Sequence, residues 1–147
     1  MKKIVMSLML VLLLAGCGSK PTEWNMEELA GTLLEQGSYD TGFVLLEQDQ
    51  AEGLLPGIEE CSSEVMVYES DSEIMNEIIL VRTEQPEKAE KVIEERKAYL
   101  VKESENYFPE QLQMIQEAIL DIRDDCLIFV ISSDPEQMEK LIAQIHD

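Results

Sequence analysis

The sequence predicts an α+β domain: two ββα units forming a four-stranded, mainly antiparallel sheet with helices packed on it, plus an N-terminal helix. Three observations predict this. Glu77 to Ile93 aligns without a gap to Cys126 to Ile142 at a constant offset of 49, so that Ile79, Val81, Pro86 and Ile93 match Ile128, Val130, Pro135 and Ile142. Each copy reads as an apolar strand feeding a helix that opens on proline, and each is preceded by a second strand-like run. Finally, 45% of the residues are apolar and fall in clear runs, so the chain can bury a core despite a net charge of −20. Duplication and ordinary strand-to-helix chemistry both account for the match.

The first helix opens at Asn25, with Glu28 three residues on, and Gly37 supplies its stop. Met26, Leu29, Leu33 and Leu34 share one face, and Trp24 is placed to staple the start. Phe43-Val44-Leu45-Leu46 reads as a turn of helix or a buried loop, and Ala51, Leu54 and Leu55 as a short helix stopped by Pro56-Gly57. Val65 to Tyr68 is a strand, Glu69 to Glu73 a turn, and Ile74 to Thr83 a second strand. Pro86 starts a helix to about Glu105, whose inward stripe is Ala89, Val92, Ile93, Arg96 and Leu100. Pro109 breaks it, and Glu110 to about Ala118 is a further helix burying Leu112 and Ile115. Ile119 to Arg123 and Cys126 to Ser132 are strands joined by Asp124-Asp125. Asp134, Pro135 and Gln137 then open the last helix, with Met138, Leu141, Ile142 and Ile145 buried.

The two central strands are apolar at successive positions, a pattern that needs cover on both faces. The expected cover is the two repeat helices on one face and the N-terminal helix with the Phe43 to Leu55 region on the other. A face left open would be a partner surface.

The N-terminal residues address location. Lys2 and Lys3 precede an eleven-residue apolar run, Ile4 to Leu14, broken only by Ser7, and Leu14-Ala15-Gly16-Cys17 follows. This is the order of a secretory signal peptide, and its cysteine matches the processing signal of bacterial lipoproteins. The run is shorter than the roughly 20 residues that span a bilayer. Residues 1–16 are thus expected to be a lipoprotein signal peptide, 17–24 the lipidated Cys17 with a short tether, and 25–147 a single α+β domain. The expected place is the extracytoplasmic side of the cell membrane, reached through the lipid on Cys17. From Cys17 onward nine basic residues face 31 acidic ones, a side-chain charge of about −22 that repels phosphate backbones. Nucleic acid is excluded as a partner, an envelope protein is the partner class that fits, and the oligomeric state stays open.

Cys61 and Cys126 remain. Export permits a disulfide between them, but two cysteines 65 residues apart carry no framework pattern. Two free thiols are expected, with pairing left open.

Few residues suggest catalysis. The sequence contains no glycine-rich phosphate loop, nucleophile elbow or paired-cysteine zinc motif. Its only histidine, His146, is one residue from the end, where a helix dipole favours it. Adjacent acids such as Glu94-Glu95 are expected by chance among 31, and specify neither an acid/base pair nor a calcium loop. No catalytic residue, metal site or cofactor is assigned. One residue breaks the pattern: Arg96 falls on an apolar stripe, so it must reach solvent or meet a carboxylate. Glu77 and Glu103 are the candidates, and a buried Arg96–Glu77 pair is the expectation. The alternative is an arginine that binds an anion in a pocket.

Leu55-Pro56-Gly57-Ile58, Asn76-Glu77-Ile78, Arg96, Tyr107-Phe108-Pro109-Glu110-Gln111 and the run Leu127 to Ser132 together resemble the small bacterial lipoproteins of domain of unknown function 4358. The resemblance covers about Glu27 to the C-terminus. Pro56 stands where an aromatic is common in that family, and Asp125-Cys126 replaces a glycine-and-aromatic strand entry. The resemblance implies an exported, membrane-tethered domain of unassigned activity, and it transfers no catalytic residue. The expected function is a non-enzymatic binding or accessory module. The alternatives are a carboxylate-dependent hydrolase of cell-envelope polymers and an acidic structural or cation-buffering envelope protein.

Overall fold

The computed structural model describes residues 25–145, so Cys17, the leader and tether, Trp24 and His146 lie outside the described residues. Five antiparallel strands form one sheet: β1 (Phe43–Leu45), β2 (Glu64–Ser70), β3 (Glu77–Arg82), β4 (Ile119–Arg123) and β5 (Cys126–Ile131), in the order β1-β2-β3-β5-β4. The α+β class and both ββα units are present. The fifth strand is a correction: Phe43 to Leu45 is neither a helical turn nor a buried loop, but an edge strand paired to the end of β2. Its Val44 and Leu45 are about half exposed, because an edge strand has a neighbour on one side only. The second expected strand is also shorter, since Ile74 to Asn76 belong to the connection and pairing begins at Glu77.

Both central strands are buried on both faces, as their unbroken apolar runs require. Each large side chain fully buried there contributes roughly 1.5–3 kcal/mol. Val67, Ile79, Val81, Leu127, Phe129 and Ile131 point to one face, under α2 (Gln48–Leu54), α3 (Pro86–Tyr107) and α4 (Leu112–Gln116). Ile78, Leu80, Cys126, Ile128 and Val130 point to the other, under α1 (Met26–Gln36) and α5 (Pro135–Gln144). The expected cover is therefore corrected, because the two repeat helices lie on opposite faces.

Parity explains this. The β3–β5 register pairs Ile79 with Phe129 and Leu80 with Ile128, always odd with odd or even with even. Cross-strand partners share a face and neighbours in a strand alternate. An offset of 49 turns odd into even, so Ile79 and its sequence match Ile128 face opposite ways. Each strand then hands its helix to a different side.

Local chemistry sets the helix ends. Asn25 Oδ1 accepts the Glu28 N–H at 3.1 Å, and Asp134 Oδ1 accepts the Gln137 N–H at 3.0 Å. Pro86 and Pro135 occupy first-turn positions that have no helical N–H bond to lose. Gly37 ends α1 with an ordinary φ of −72°, not a left-handed one. It must be glycine for space, since a Cβ there would run into the Tyr39 ring and the Leu33 carbonyl. Gly57, at φ 87°, is the left-handed glycine of the chain's described part.

Candidate functional site

Along α3, residues 92, 96, 99, 100 and 103 recur at helical spacing, so that buried Arg96 and Leu100 and half-buried Val92 and Glu103 run beside the exposed Tyr99 at the edge of the core. This stripe forms one wall of a cleft of about 780 Å³. Leu54 and Pro56, at the end of α2, together with Ile74 and Met75 from the β2–β3 connection, supply apolar surface elsewhere in the lining. Glu69 and Glu77, together with Ser70, Ser72 and Asn76, add polar groups from the strand ends and the turn. The volume falls in the range of small-molecule sites.

The register brings Glu69 and Glu77 directly opposite each other on β2 and β3. Two like charges at paired positions repel. Arg96 descends from α3 onto both: Nη2 donates to Glu77 Oε1 at 2.6 Å and reaches Glu69 Oε1 at 3.5 Å, while Nε lies 3.2 and 3.4 Å from the Glu77 oxygens. The structure thus brings together the two site residues named from the sequence, Arg96 and Glu77. Their side chains are 7% and 3% exposed, against 44% for Glu69. The Tyr99 ring, more than half exposed, sits with its centroid 5.8 Å from the guanidinium carbon. Burial pushes the Glu77 carboxyl above its ordinary pKa, the Arg96 charge and hydrogen bonds pull it back, and Glu69 raises it further.

The arrangement has a clear electrostatic sense. The guanidinium is already committed to two carboxylates, and Glu95 and Glu103 add two more acids to the lining. An anion entering here would meet an arginine already neutralised and an excess of negative charge. The reading of Arg96 as a free anion receptor is therefore not what the geometry supports.

Asn76 closes one end. Its side chain is 1% exposed; Oδ1 accepts the Asp40 N–H at 3.1 Å, and Nδ2 donates to the Ile131 carbonyl at 3.3 Å. It ties the segment after α1 to the end of β5 and so fixes the floor of the cleft. Sequence reasoning missed Glu69, Asn76 and Tyr99 as site residues. Asn76-Glu77 at a strand entrance and an aromatic three residues after Arg96 were the available signals, but only the register shows that Glu69 faces Glu77.

The cysteines take no part. Cys61 and Cys126 are free, buried and on opposite faces of the sheet, which removes the disulfide alternative. Burial raises the Cys61 thiol and pushes that of Cys126 up to about 11. Among the described residues no group of three or more His, Cys, Asp or Glu side chains is placed to hold a metal ion. Also among them, no helix is long and apolar enough to cross a membrane.

The model of one protein family, a domain of unknown function (DUF4358), matches residues 57–132. The match spans β2 to β5 with α3 and α4, and includes the Arg96, Glu69, Glu77 and Tyr99 group, while α1, β1, α2 and α5 fall outside it. No curated protein and no solved structure matches the chain.

Proposed function

The chain belongs to the DUF4358 family, whose model covers more than half of it, and from that premise we propose that it is a non-enzymatic binding module held outside the cytoplasm by a lipid on Cys17. The single observation carrying the binding role is the α3 cleft, with its buried Arg96–Glu77 floor and mixed apolar and polar lining. Such a concave, part-apolar surface with a few fixed polar groups is the usual form of a ligand site. The anchor rests on the sequence: Lys2 and Lys3, the apolar run and Leu14-Ala15-Gly16-Cys17. The cleft lining contains no histidine or cysteine, and a Glu77 carboxylate bonded to Arg96 is poorly available as a proton donor.

One observation favours a second reading. Glu77, with its raised pKa, shares a cleft with Glu69, Glu95 and Glu103, and a hydrolase working through carboxylates needs two such groups across a substrate. Binding requires no displacement of Arg96, whereas general acid catalysis by Glu77 does. The binding role is the simpler use of this geometry.

The test has two parts. Cells fed an alkyne fatty acid should label the full-length protein and not Cys17→Ser; equal labelling, or none, overturns the anchor. A photo-crosslinking residue in place of Tyr99 should capture an envelope component that the same substitution at Ile122, an exposed residue of β4, does not capture. Release of fragments from purified envelope polymer, abolished by Glu77→Gln, would replace binding with hydrolysis.

A further inference from the structure

We propose that the α3 cleft selects a small organic cation: an ammonium or guanidinium head on an apolar body. The inference deepens the binding role and rests on it. The acids alone would make only a solvated surface, and what turns them into a site is the concave wall they share with apolar side chains. Leu54, Pro56, Ile74 and Met75 offer contact to a hydrocarbon body, while Val92 and Leu100 continue that surface on α3. The charge in the cleft does not balance. Glu69 and Glu77 share one guanidinium, and Glu95 and Glu103 lie along the same helix, where the exposed Lys91 Nζ stands 4.0 Å from Glu95, so four carboxylates face one arginine and one surface lysine.

The placement of these groups separates two roles. Glu77 is spent on Arg96 in a buried contact, and its work is to hold the floor. Glu69, nearly half exposed and only 3.5 Å from the guanidinium at its closest, keeps one face toward solvent. Glu95 is exposed and Glu103 partly so, giving an entering cation a graded path of negative potential into a partly desolvated recess. The half-exposed Tyr99 ring adds a flat aromatic surface beside this path. A free small molecule fits better than a protein side chain, because the apolar lining offers cover for a ligand body and not only for a charged tip.

The experiment uses the full-length lipoprotein in a non-ionic detergent and three matched photoprobes: a benzophenone bearing an ammonium, a hydroxyl or a carboxylate on the same linker. Photolabelling is mapped by peptide mass spectrometry. The ammonium probe should label the peptides holding Ile74-Met75 and Tyr99 to Glu103 at concentrations about tenfold lower than the hydroxyl probe needs, and the carboxylate probe should not label them. Glu69→Gln with Glu103→Gln should erase that preference, and 0.5 M salt should weaken it. Both substitutions lie at partly exposed positions, so the fold survives them. Equal labelling by ammonium and hydroxyl probes overturns charge selection and leaves the binding role standing. Preference for the carboxylate returns Arg96 to the role of anion receptor. Ammonium labels spread over the other acidic helices overturn the site and leave diffuse cation attraction. No labelling at the cleft by any probe overturns both the cation and the cleft as a small-molecule site, while Cys17 acylation, read separately, still decides the anchor.

Discussion

Glu69 and Glu77 stand directly opposite each other on β2 and β3, both within bonding reach of the one guanidinium of Arg96. Three charged groups meet where the sheet passes under α3, and two of the three are almost fully buried. Removing either of the two buried groups leaves the others in the wrong company.

The two buried partners should therefore fail non-additively. Glu77→Ala leaves a buried guanidinium with Glu69 alone, and Arg96→Ala leaves two facing carboxylates. Each should lose roughly 3–5 kcal/mol in urea unfolding, while the double variant should lose well under their sum. Arg96→Met with Glu77→Leu should recover much of the loss, because a packed apolar pair needs no desolvation of charge. Strictly additive losses would show that the two groups are not coupled.

The cysteine thiols should be silent in the folded protein and obvious in the unfolded one. At pH 8, iodoacetamide should leave Cys61 and Cys126 unmodified without denaturant and alkylate both in urea without reductant. If urea alone left both unreactive until a reductant was added, they would be paired.

Alkaline pH should destabilise the fold partly through Cys126. Its thiol ordinarily titrates near 9.0, and burial, with nearby acids adding to it, pushes it up to about 11 in the folded chain. A raised acid keeps its proton longer when folded than when unfolded. The stability it contributes is whole below the unfolded pKa and is lost as pH rises through the folded one. The urea midpoint should fall between pH 9 and pH 11, and fall less steeply in Cys126→Ala. Burial likewise raises Tyr39 and Tyr68, so some of the slope should persist in that variant. Parallel profiles would remove Cys126 from the account.

Gly37 and Gly57 should respond differently to substitution. Gly57 needs its left-handed φ of 87° and has open space around it, so Gly57→Asn should cost less than Gly57→Ala. Gly37 has an ordinary φ but no room beside Tyr39 and the Leu33 carbonyl. Gly37→Asn should be no better than Gly37→Ala, each losing about 1–3 kcal/mol, because backbone oxygen cannot move aside as a side chain can. Rescue by asparagine at position 37 would restore a left-handed stop there.

Asn76 should tolerate neither of its near neighbours. Asn76→Ala orphans the Asp40 N–H and should cost about 1–3 kcal/mol. Asn76→Asp keeps that acceptor but loses the bond to the Ile131 carbonyl and buries a charge beside Glu77, so it should cost more. Thermal melts of the two variants decide the order, and a milder Asn76→Asp would count against the placement of its Nδ2.

The legible parts were the local ones. Asn25 and Asp134 mark helix starts through bonds made within one turn, Pro86 and Pro135 mark them by a fixed φ and no N–H to lose, and Arg96 announces itself by sitting on an apolar stripe. Phe43 to Leu45 was not legible, because three residues carry too little periodicity to separate strand from loop. Only the partner strand β2 supplies the difference. In the sequence Glu69 looks like the start of a turn for the same reason, since nothing near it in the chain says that β2 continues to Ser70.

By itself, the sequence determined most of the inventory: which segments other than β1 are helix or strand, where the capped and proline-started helices begin, how much charge they carry, and that both central strands need cover. Those properties come from spacing, caps and composition, all settled within a few residues. The tertiary structure decided the sides. Whether α3 and α5 share a face depends on the parity of a strand register between residues some 50 apart, as in the pairing of Ile79 with Phe129. The same long-range pairing sets Glu69 against Glu77 and opens the cleft above them. Shifting a strand by one residue turns every side chain to the other face, and no local pattern in the chain records which shift is taken.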